Sequence, residues 1–385
     1  MKTEQLLVAA CRDGDIEEVK QLLQNQQSNP NYQDKDNERR TPLWTACSKG
    51  HIEIVKLLLS DKRVNVNEVN INGWTPFYIA CGSGHTEIVK LLLSDKRVDI
   101  NQADRFDRTP LNIASYWGKF EVVELLLNDE RVDINKGDNQ QATSLHYACE
   151  FGHIEIVKLL LKDKRTNPNK SNEIETPLFI ACRKGHIEIV KLFLNDKRVE
   201  VNQKSYANAT PFYVACSHGR IEVVKFLLND QRVDIYKPNN DGETPFYTVC
   251  DYGNIEIIKL FLASEREMNL NIKNYNGQTV LKIVREKAKQ EEEDDDLESE
   301  ERVYRNILTL LESFEINPNE TRKKLRLQLG LTGKFNFRFI LLLSFSILEF
   351  NIYNFSFKVT FLFFFFRYCS CFCICNDHSP FRSLS

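Results

Sequence analysis

The sequence carries almost no net charge. Its 385 residues hold 51 Lys and Arg against 54 Asp and Glu, a formal charge of -3. No global field draws such a chain to nucleic acid, and none is expected as a partner. A secretory signal is also missing: residues 1–11 contain only the short apolar run 6–10, followed at once by Arg12, Asp13 and Asp15, which predicts a cytoplasmic protein. The ~20 uninterrupted apolar residues of a bilayer span are lacking as well. The most apolar region, 335–366, is broken by Glu349 and Lys358.

Catalytic signatures are equally scarce. There is no G-x-S-x-G, no H-E-x-x-H and no Rossmann glycine fingerprint, and residues 330–334, Gly-Leu-Thr-Gly-Lys, lack the P-loop spacing and the Ser or Thr that should follow. The expectation is a non-enzymatic chain without cofactor or metal. What the chain does have is 42% apolar and 27% charged residues, the mixture of a folded soluble protein rather than a disordered one.

It also has a period. Thr recurs at Thr41, Thr75, Thr109, Thr143, Thr176, Thr210, Thr244 and Thr279, at intervals of 34, 34, 34, 33, 34, 34 and 35 residues, mostly followed by Pro. Thr can cap a helix with its hydroxyl, and Pro at the first helical position gives up only an N–H that would be unpaired anyway. Gly50, Gly84, Gly118, Gly152, Gly185, Gly219 and Gly253 each follow nine residues later and end that helix. A second apolar pattern then begins, in which Ile52, Val55, Leu58 and Leu59 share a face while Glu53 and Lys56 share the other. An extended hairpin completes each unit. Helices this short cannot bury their apolar stripes alone, so the units must stack.

The recurring Thr-Pro-Leu step, the Gly-His-x-x-Ile/Val-Val-x-x-Leu-Leu run and the Asp/Asn-Val/Ile-Asn ending resemble the ankyrin-repeat family from Thr41 to about Thr279. The resemblance implies an all-α repeat solenoid of stacked helix-turn-helix units with β-hairpin-like loops. Residues 1–40 are then a capping unit, 41–278 hold seven repeats, and 279–315 form a closing cap with an acidic insertion at 291–301, where nine of eleven positions are Asp or Glu. That insertion is expected to be solvated, and Val303, Ile307, Leu310 and Leu311 are expected to line the last cap helix.

Departures from the family pattern carry further expectations. Its His after Thr-Pro-Leu survives only at His146; Trp44, Tyr78, Asn112, Phe179, Tyr213, Tyr247 and Lys282 stand elsewhere, so aromatic packing should replace the hydrogen bonds of that His. Asp107, Gln141 and Asn208 take the place of the hairpin Gly, and should tolerate a left-handed backbone with Gln the least suited. Seven cysteines, Cys11, Cys47, Cys81, Cys149, Cys182, Cys216 and Cys250, occupy one repeat position and read as reduced core residues. His51, His85, His153 and His186 recur at repeat spacing, too far apart to share one metal ion, and read as structural.

Residues 316–334 form a short basic segment, read as a plain surface helix. From 335 to 385 the composition changes: 14 of the 25 Phe lie there, with Cys369, Cys371, Cys373 and Cys375. This tail is readable as a poor membrane anchor palmitoylated on its cysteines, as a Cys-rich metal site, or as translated AT-rich non-coding sequence, the composition favouring the last. Membrane association is thus possible only through 335–366.

The ankyrin resemblance implies that hairpin tips and first-helix ends line a groove for a protein partner. Carried onto this chain, that groove includes Trp74, Arg105, Phe106, Arg108 and Tyr206 at the tips, and Tyr116, Trp117, Phe151, Arg183, Lys184 and Tyr252 at the helix ends. These places vary from unit to unit while the second-helix core scarcely changes. Trp74, Phe106, Tyr116, Trp117 and Phe151 fall in three consecutive units, flanked by Arg105 and Arg108, and aromatic and Arg side chains dominate interface energetics. The expectation is an interaction module or scaffold acting as a monomer, or else a membrane-tethered adaptor. The competing reading of the five rings is that they only stiffen the stack.

Overall fold

The computed structural model describes residues 3–205, 207–292 and 302–331. Among these there are nineteen helices and no strand. The opening pair is α1 (Thr3–Asp13) and α2 (Ile16–Gln24), followed by α3 (Pro42–Lys49) and α4 (Ile52–Ser60), then α5 (Pro76–Ser83) and α6 (Thr86–Ser94). Next come α7 (Pro110–Tyr116) and α8 (Phe120–Leu127), α9 (Ser144–Glu150) and α10 (Ile154–Lys162), and α11 (Pro177–Lys184) and α12 (Ile187–Asn195). The last full pairs are α13 (Pro211–Ser217) with α14 (Ile221–Leu228) and α15 (Pro245–Asp251) with α16 (Ile255–Ala263). The chain closes with α17 (Val280–Glu292), α18 (Val303–Ile316) and α19 (Pro318–Gln328).

Odd-numbered helices pack against odd-numbered neighbours, and even against even, through two layers that run from α1 to α17 and from α2 to α18. The stack lies within one compact unit, residues 1–325. Helices of seven to nine residues are too short to persist alone in water, where about 12–15 are needed. Neighbours therefore supply the stability. From α4 to α16 each second helix buries the same three positions, as at Ile54, Val55 and Leu58, and repeats them at Ile88, Val89 and Leu92 and at Ile156, Val157 and Leu160. A buried aliphatic side chain of this kind contributes about 1.5–3 kcal/mol. The sequence placed Ile52 and Leu59 on this face; both are only half-buried and Ile54 is the buried residue, because neighbours cover the helix from one side.

Local chemistry sets the helix ends. The Thr41, Thr75, Thr176, Thr210 and Thr244 hydroxyls accept the backbone N–H three residues on at 3.0–3.2 Å. In α7, Asn112 returns the bond to the Thr109 N–H at 2.9 Å, and in α9 His146 Nδ1 accepts the Thr143 N–H at 3.1 Å. At the other end Gly50, Gly84 and Gly185 take left-handed φ of 81°, 82° and 84°. Histidines close the turns at Gly50 and Gly118: His85 Nε2 lies 3.1 Å from the Ser48 carbonyl and His153 Nε2 3.1 Å from that of Tyr116, with each ring against the preceding unit's Gly, a place taken at Gly84 and Gly185 by Lys119 and Arg220. Their role is structural.

Asp107, Gln141 and Asn208 adopt φ of 59°, 63° and 60°, and the longer first hairpin adds Glu38 and Arg39 at 52° and 58°. Gln is the residue least at ease there, so Gln141→Gly is expected to raise stability by about 0.5–1 kcal/mol, read as a higher midpoint in thermal unfolding.

Two ladders lock successive units. Asn31, Asn67, Asn101, Asn135, Asn169 and Asn202 each donate to a carbonyl one unit on, from Arg63 to Arg232, at 2.7–2.8 Å. Their amide oxygens accept an N–H of that same next unit. The run ends where Tyr236 replaces Asn and bonds the Glu267 carbonyl instead. The second ladder is built by the recurring Asp-x-Arg of the sequence. Arg97 grips Asp95 at 2.6 Å and also donates to the carbonyl of Leu59, at the exposed end of the previous second helix, at 2.9 Å. Arg131, Arg165, Arg198 and Arg232 repeat this on Leu93, Leu127, Leu161 and Leu194. The Arg hydrogen bonds hold each partner Asp below the usual carboxylate range, and helix C-termini favour the cation.

In the closing cap α17 and α18 pack together, with Ile307, Leu311 and Phe314 buried; Val303 and Leu310 sit outside that core. Glu291 belongs to α17, and its carboxylate accepts the Tyr304 and Arg305 N–H at 3.0 and 3.1 Å. It thus caps α18, while the acidic run from 293 to 301 lies outside the described residues. The basic segment does form a helix, α19, with Leu325 buried and Arg322 over the Phe314 ring at 5.7 Å. Tyr206 and the entire tail from 332, with its anchor, palmitoylation and cysteine readings, lie outside the described residues too. No described helix is long and apolar enough to cross a membrane.

Candidate functional site

The best-built part of the hairpin edge is centred on Asp104, a residue the sequence did not single out. Its Oδ1 accepts the N–H groups of Phe106 and Arg108 at 2.9 and 3.0 Å, which closes the hairpin turn. Its Oδ2 accepts from Arg108 Nη2 at 2.7 Å and Nε at 2.9 Å, from the Tyr78 hydroxyl at 3.0 Å and from Trp74 Nε1 at 3.3 Å. Burial opposes the charge on this carboxylate, but the hydrogen bonds from Arg108 and the backbone outweigh it and keep its pKa below the usual value. Burial first, then Asp104, pushes the Tyr78 phenol well up.

The same hairpin position recurs as Asn70, Asp138, Asn172, Asn239 and Asn274, each taking two backbone N–H groups of its own turn on Oδ1. Sequence reasoning expected mere ring packing where Tyr replaces the family's His. The tyrosines instead reach the next hairpin. Tyr213 Oη accepts from Asn239 Nδ2 at 2.9 Å, Tyr247 Oη from Asn274 Nδ2 at 3.2 Å, and Tyr78 donates to Asp104. A phenol is long enough to cross between units, so the hydrogen bond is moved and not lost. Tyr147, one place further on, donates to Asp138 Oδ2 at 2.5 Å. The signal was present in the sequence as Tyr followed 26 or 27 residues later by Asp or Asn.

The expected groove residues separate into side chains that brace the edge and side chains that face outward. Trp74 is half-buried, stacked on Tyr78 at 5.9 Å and tied to Asp104, and Arg108 is held by the same carboxylate while its guanidinium lies 5.0 Å over the Phe106 ring. Tyr116 is half-buried among Trp117, Phe151 and Tyr147, at ring distances of 4.9, 4.5 and 5.7 Å. Arg183 and Lys184 are both engaged by Glu150 at 3.0 and 2.5 Å, and Arg183 also by Glu175. Those side chains hold the edge together. Facing outward are Arg105, Phe106 (56% exposed), Trp117 (58%), Phe151 (45%) and Tyr252 (65%). Ile174, 59% exposed on a hairpin tip, was missed by the sequence reading; an Ile among Asn172, Glu173 and Glu175 was the cue.

A family model described as ankyrin repeats (3 copies) matches residues 6–104, 96–172 and 164–238, and another described as ankyrin repeat matches 241–272. The chain is an ankyrin-repeat protein. Ankyrin repeats are in general protein–protein interaction modules and typically non-enzymatic. The comparison with curated proteins returns no match. In this ankyrin stack the seven repeat cysteines are all buried, unbridged thiols, and burial raises that of Cys11 to about 12. Among the described residues no cluster of His, Cys, Asp and Glu is arranged to hold a metal ion.

Proposed function

We propose that this ankyrin-repeat protein is an interaction module or scaffold that holds a protein partner along its first-helix ends and hairpin tips. Three outward aromatic side chains, Phe106, Trp117 and Phe151, come from adjacent repeats and rest on a fixed layer of Tyr116, Tyr147 and Arg108; that observation carries the reading. Large rings that are exposed yet braced lose little freedom on binding, which is how interface hot spots work. Trp74, Tyr116, Arg108, Arg183 and Lys184 act as the bracing, while Arg105 offers an exposed cation beside the rings and favours a partner with acidic and apolar side chains. A reducing, cytoplasmic setting belongs to the same proposal and is supported by the seven free thiols.

Panning a displayed library of 16-residue peptides against the full chain tests it. Enriched peptides are expected to bind Trp117→Ala and Phe151→Ala about tenfold more weakly, with thermal unfolding shifted little and with Glu53→Ala, on the second-helix face, binding like the parent. Peptides that bind both aromatic variants as tightly as the parent would remove the groove from consideration.

A further inference from the structure

The layer of second helices carries one feature that the groove does not use. Between α10 and α12 lies an open cleft of about 720 Å³ whose floor includes Leu161 and Leu192 and whose rim holds Lys158, Lys162, Lys164 and Lys197. Lys158 is paired with Glu155, and Arg198 at the same rim is taken up by Asp196. Lys162, Lys164 and Lys197 are exposed and have no ion-pair partner among the described residues. Lys164 and Lys197 fill a repeat position that is also Lys at Lys62 and Lys96, while Lys162 stands where the other units from α4 to α14 have Ser or Asn and adds a cation beyond the pattern. In the preceding unit the places of Lys162 and Lys164 are held by Asn128 and Glu130, and in the unit after α12 the corresponding places are Asn229 and Gln231. Three unpaired cations around an apolar floor are thus gathered at one junction of the stack.

We infer that this cleft takes the acidic run 291–301 of a second copy of the chain. The complementarity is specific in kind. The run is Glu-Glu-Glu-Asp-Asp-Asp-Leu-Glu-Ser-Glu-Glu, a single Leu297 with acids on both sides, and the cleft is a pair of leucines ringed by lysines. Leu297 meets the floor while the flanking carboxylates meet Lys162, Lys164 and Lys197. Glu291 is already spent on capping α18, which leaves the later acids for the partner.

Geometry excludes the chain's own run. Leu297 is five residues from the end of α17 and five from Arg302, a reach of about 17 Å at full extension. The helices α12, α14, α16 and α18 lie side by side, three steps of about 8–10 Å each. The cleft and the run are different surfaces, so the contact is head-to-tail and open-ended rather than a closed dimer. Association through it weakens with salt, because exposed charges are screened beyond ~8 Å at physiological ionic strength. The expected monomer is then the high-salt form.

A labelled synthetic peptide of residues 290–302, titrated onto the full chain in 50 mM salt, is expected to bind, and to bind at least tenfold more weakly to the Lys162→Glu/Lys164→Glu/Lys197→Glu variant or in 0.5 M salt. A peptide with Leu297→Ser should bind several-fold more weakly than the parent peptide. Sedimentation velocity of the full chain should show an s-value rising with concentration in low salt, with the rise absent in the triple variant, whose circular dichroism reports an intact fold. Equal peptide binding by parent and triple variant, or a concentration-dependent s-value that survives the three substitutions, would overturn the assignment.

Discussion

Asp104→Ala is expected to destabilise the stack by about 3 kcal/mol or more, measured as the drop in unfolding free energy by urea titration. The side chain is wholly buried, and one carboxylate serves six donors: two backbone N–H groups, two guanidinium nitrogens, a phenol and an indole. Breaking a buried ion pair by removing one member costs about 3–5 kcal/mol. Arg108 is partly exposed and can turn toward water, which places the value at the low end. Asp104→Asn should lose about half as much, since Asn70, Asn239 and Asn274 close the same turn with an amide oxygen. What the amide cannot do is neutralise Arg108. A loss under 1 kcal/mol for Asp104→Ala would show that the hairpin edge is not held by this carboxylate, and the rings above it would lose their support.

The second large effect is a loss of stability in mild acid that depends on His146. Its Nδ1 accepts the Thr143 N–H and its Nε2 lies 3.2 Å from the Glu175 carbonyl. Burial, only partly offset by that carbonyl, pushes its pKa from 6.5 down to about 4. The unfolded chain therefore binds the proton first as pH falls, so the fold's advantage from a neutral His146 is complete above about pH 7 and is lost between 6.5 and 4. One pKa unit corresponds to about 1.4 kcal/mol, which makes the loss between pH 7 and 4.5 about 2 kcal/mol. His146→Asn should remove this dependence while keeping the cap, as Asn112 does in the neighbouring unit. The lowered carboxylates titrate below their ordinary value of 3.8, outside this window. Parallel pH profiles for parent and His146→Asn would contradict the assignment of the acid loss to this residue.

Both effects arise where the repeat departs from its own regularity, and that is also where sequence reasoning was weakest. The Thr caps, the glycine turns, the buried cysteines and the left-handed Asp107, Gln141 and Asn208 were legible because each depends on residues within a few positions. The Tyr78–Asp104 and Tyr213–Asn239 bonds were not, because they join residues 26 apart whose proximity exists only once two units stack. Glu291 looked like one more member of a repelling acidic run, until the α17–α18 packing set it beneath the N–H groups of Tyr304 and Arg305. The groove residues were named by position, but position does not distinguish Trp74, fastened to Tyr78 and Asp104, from Trp117, open to solvent.

By itself the sequence determined the ankyrin period, the helix ends and the stacking, since short amphipathic helices with capped ends have no other way to shelter their apolar stripes. Only the tertiary structure decided which aromatic and charged side chains are free and which brace the edge. Hydrogen bonds and ring contacts between units depend on distances of a few ångströms, which periodicity alone does not set.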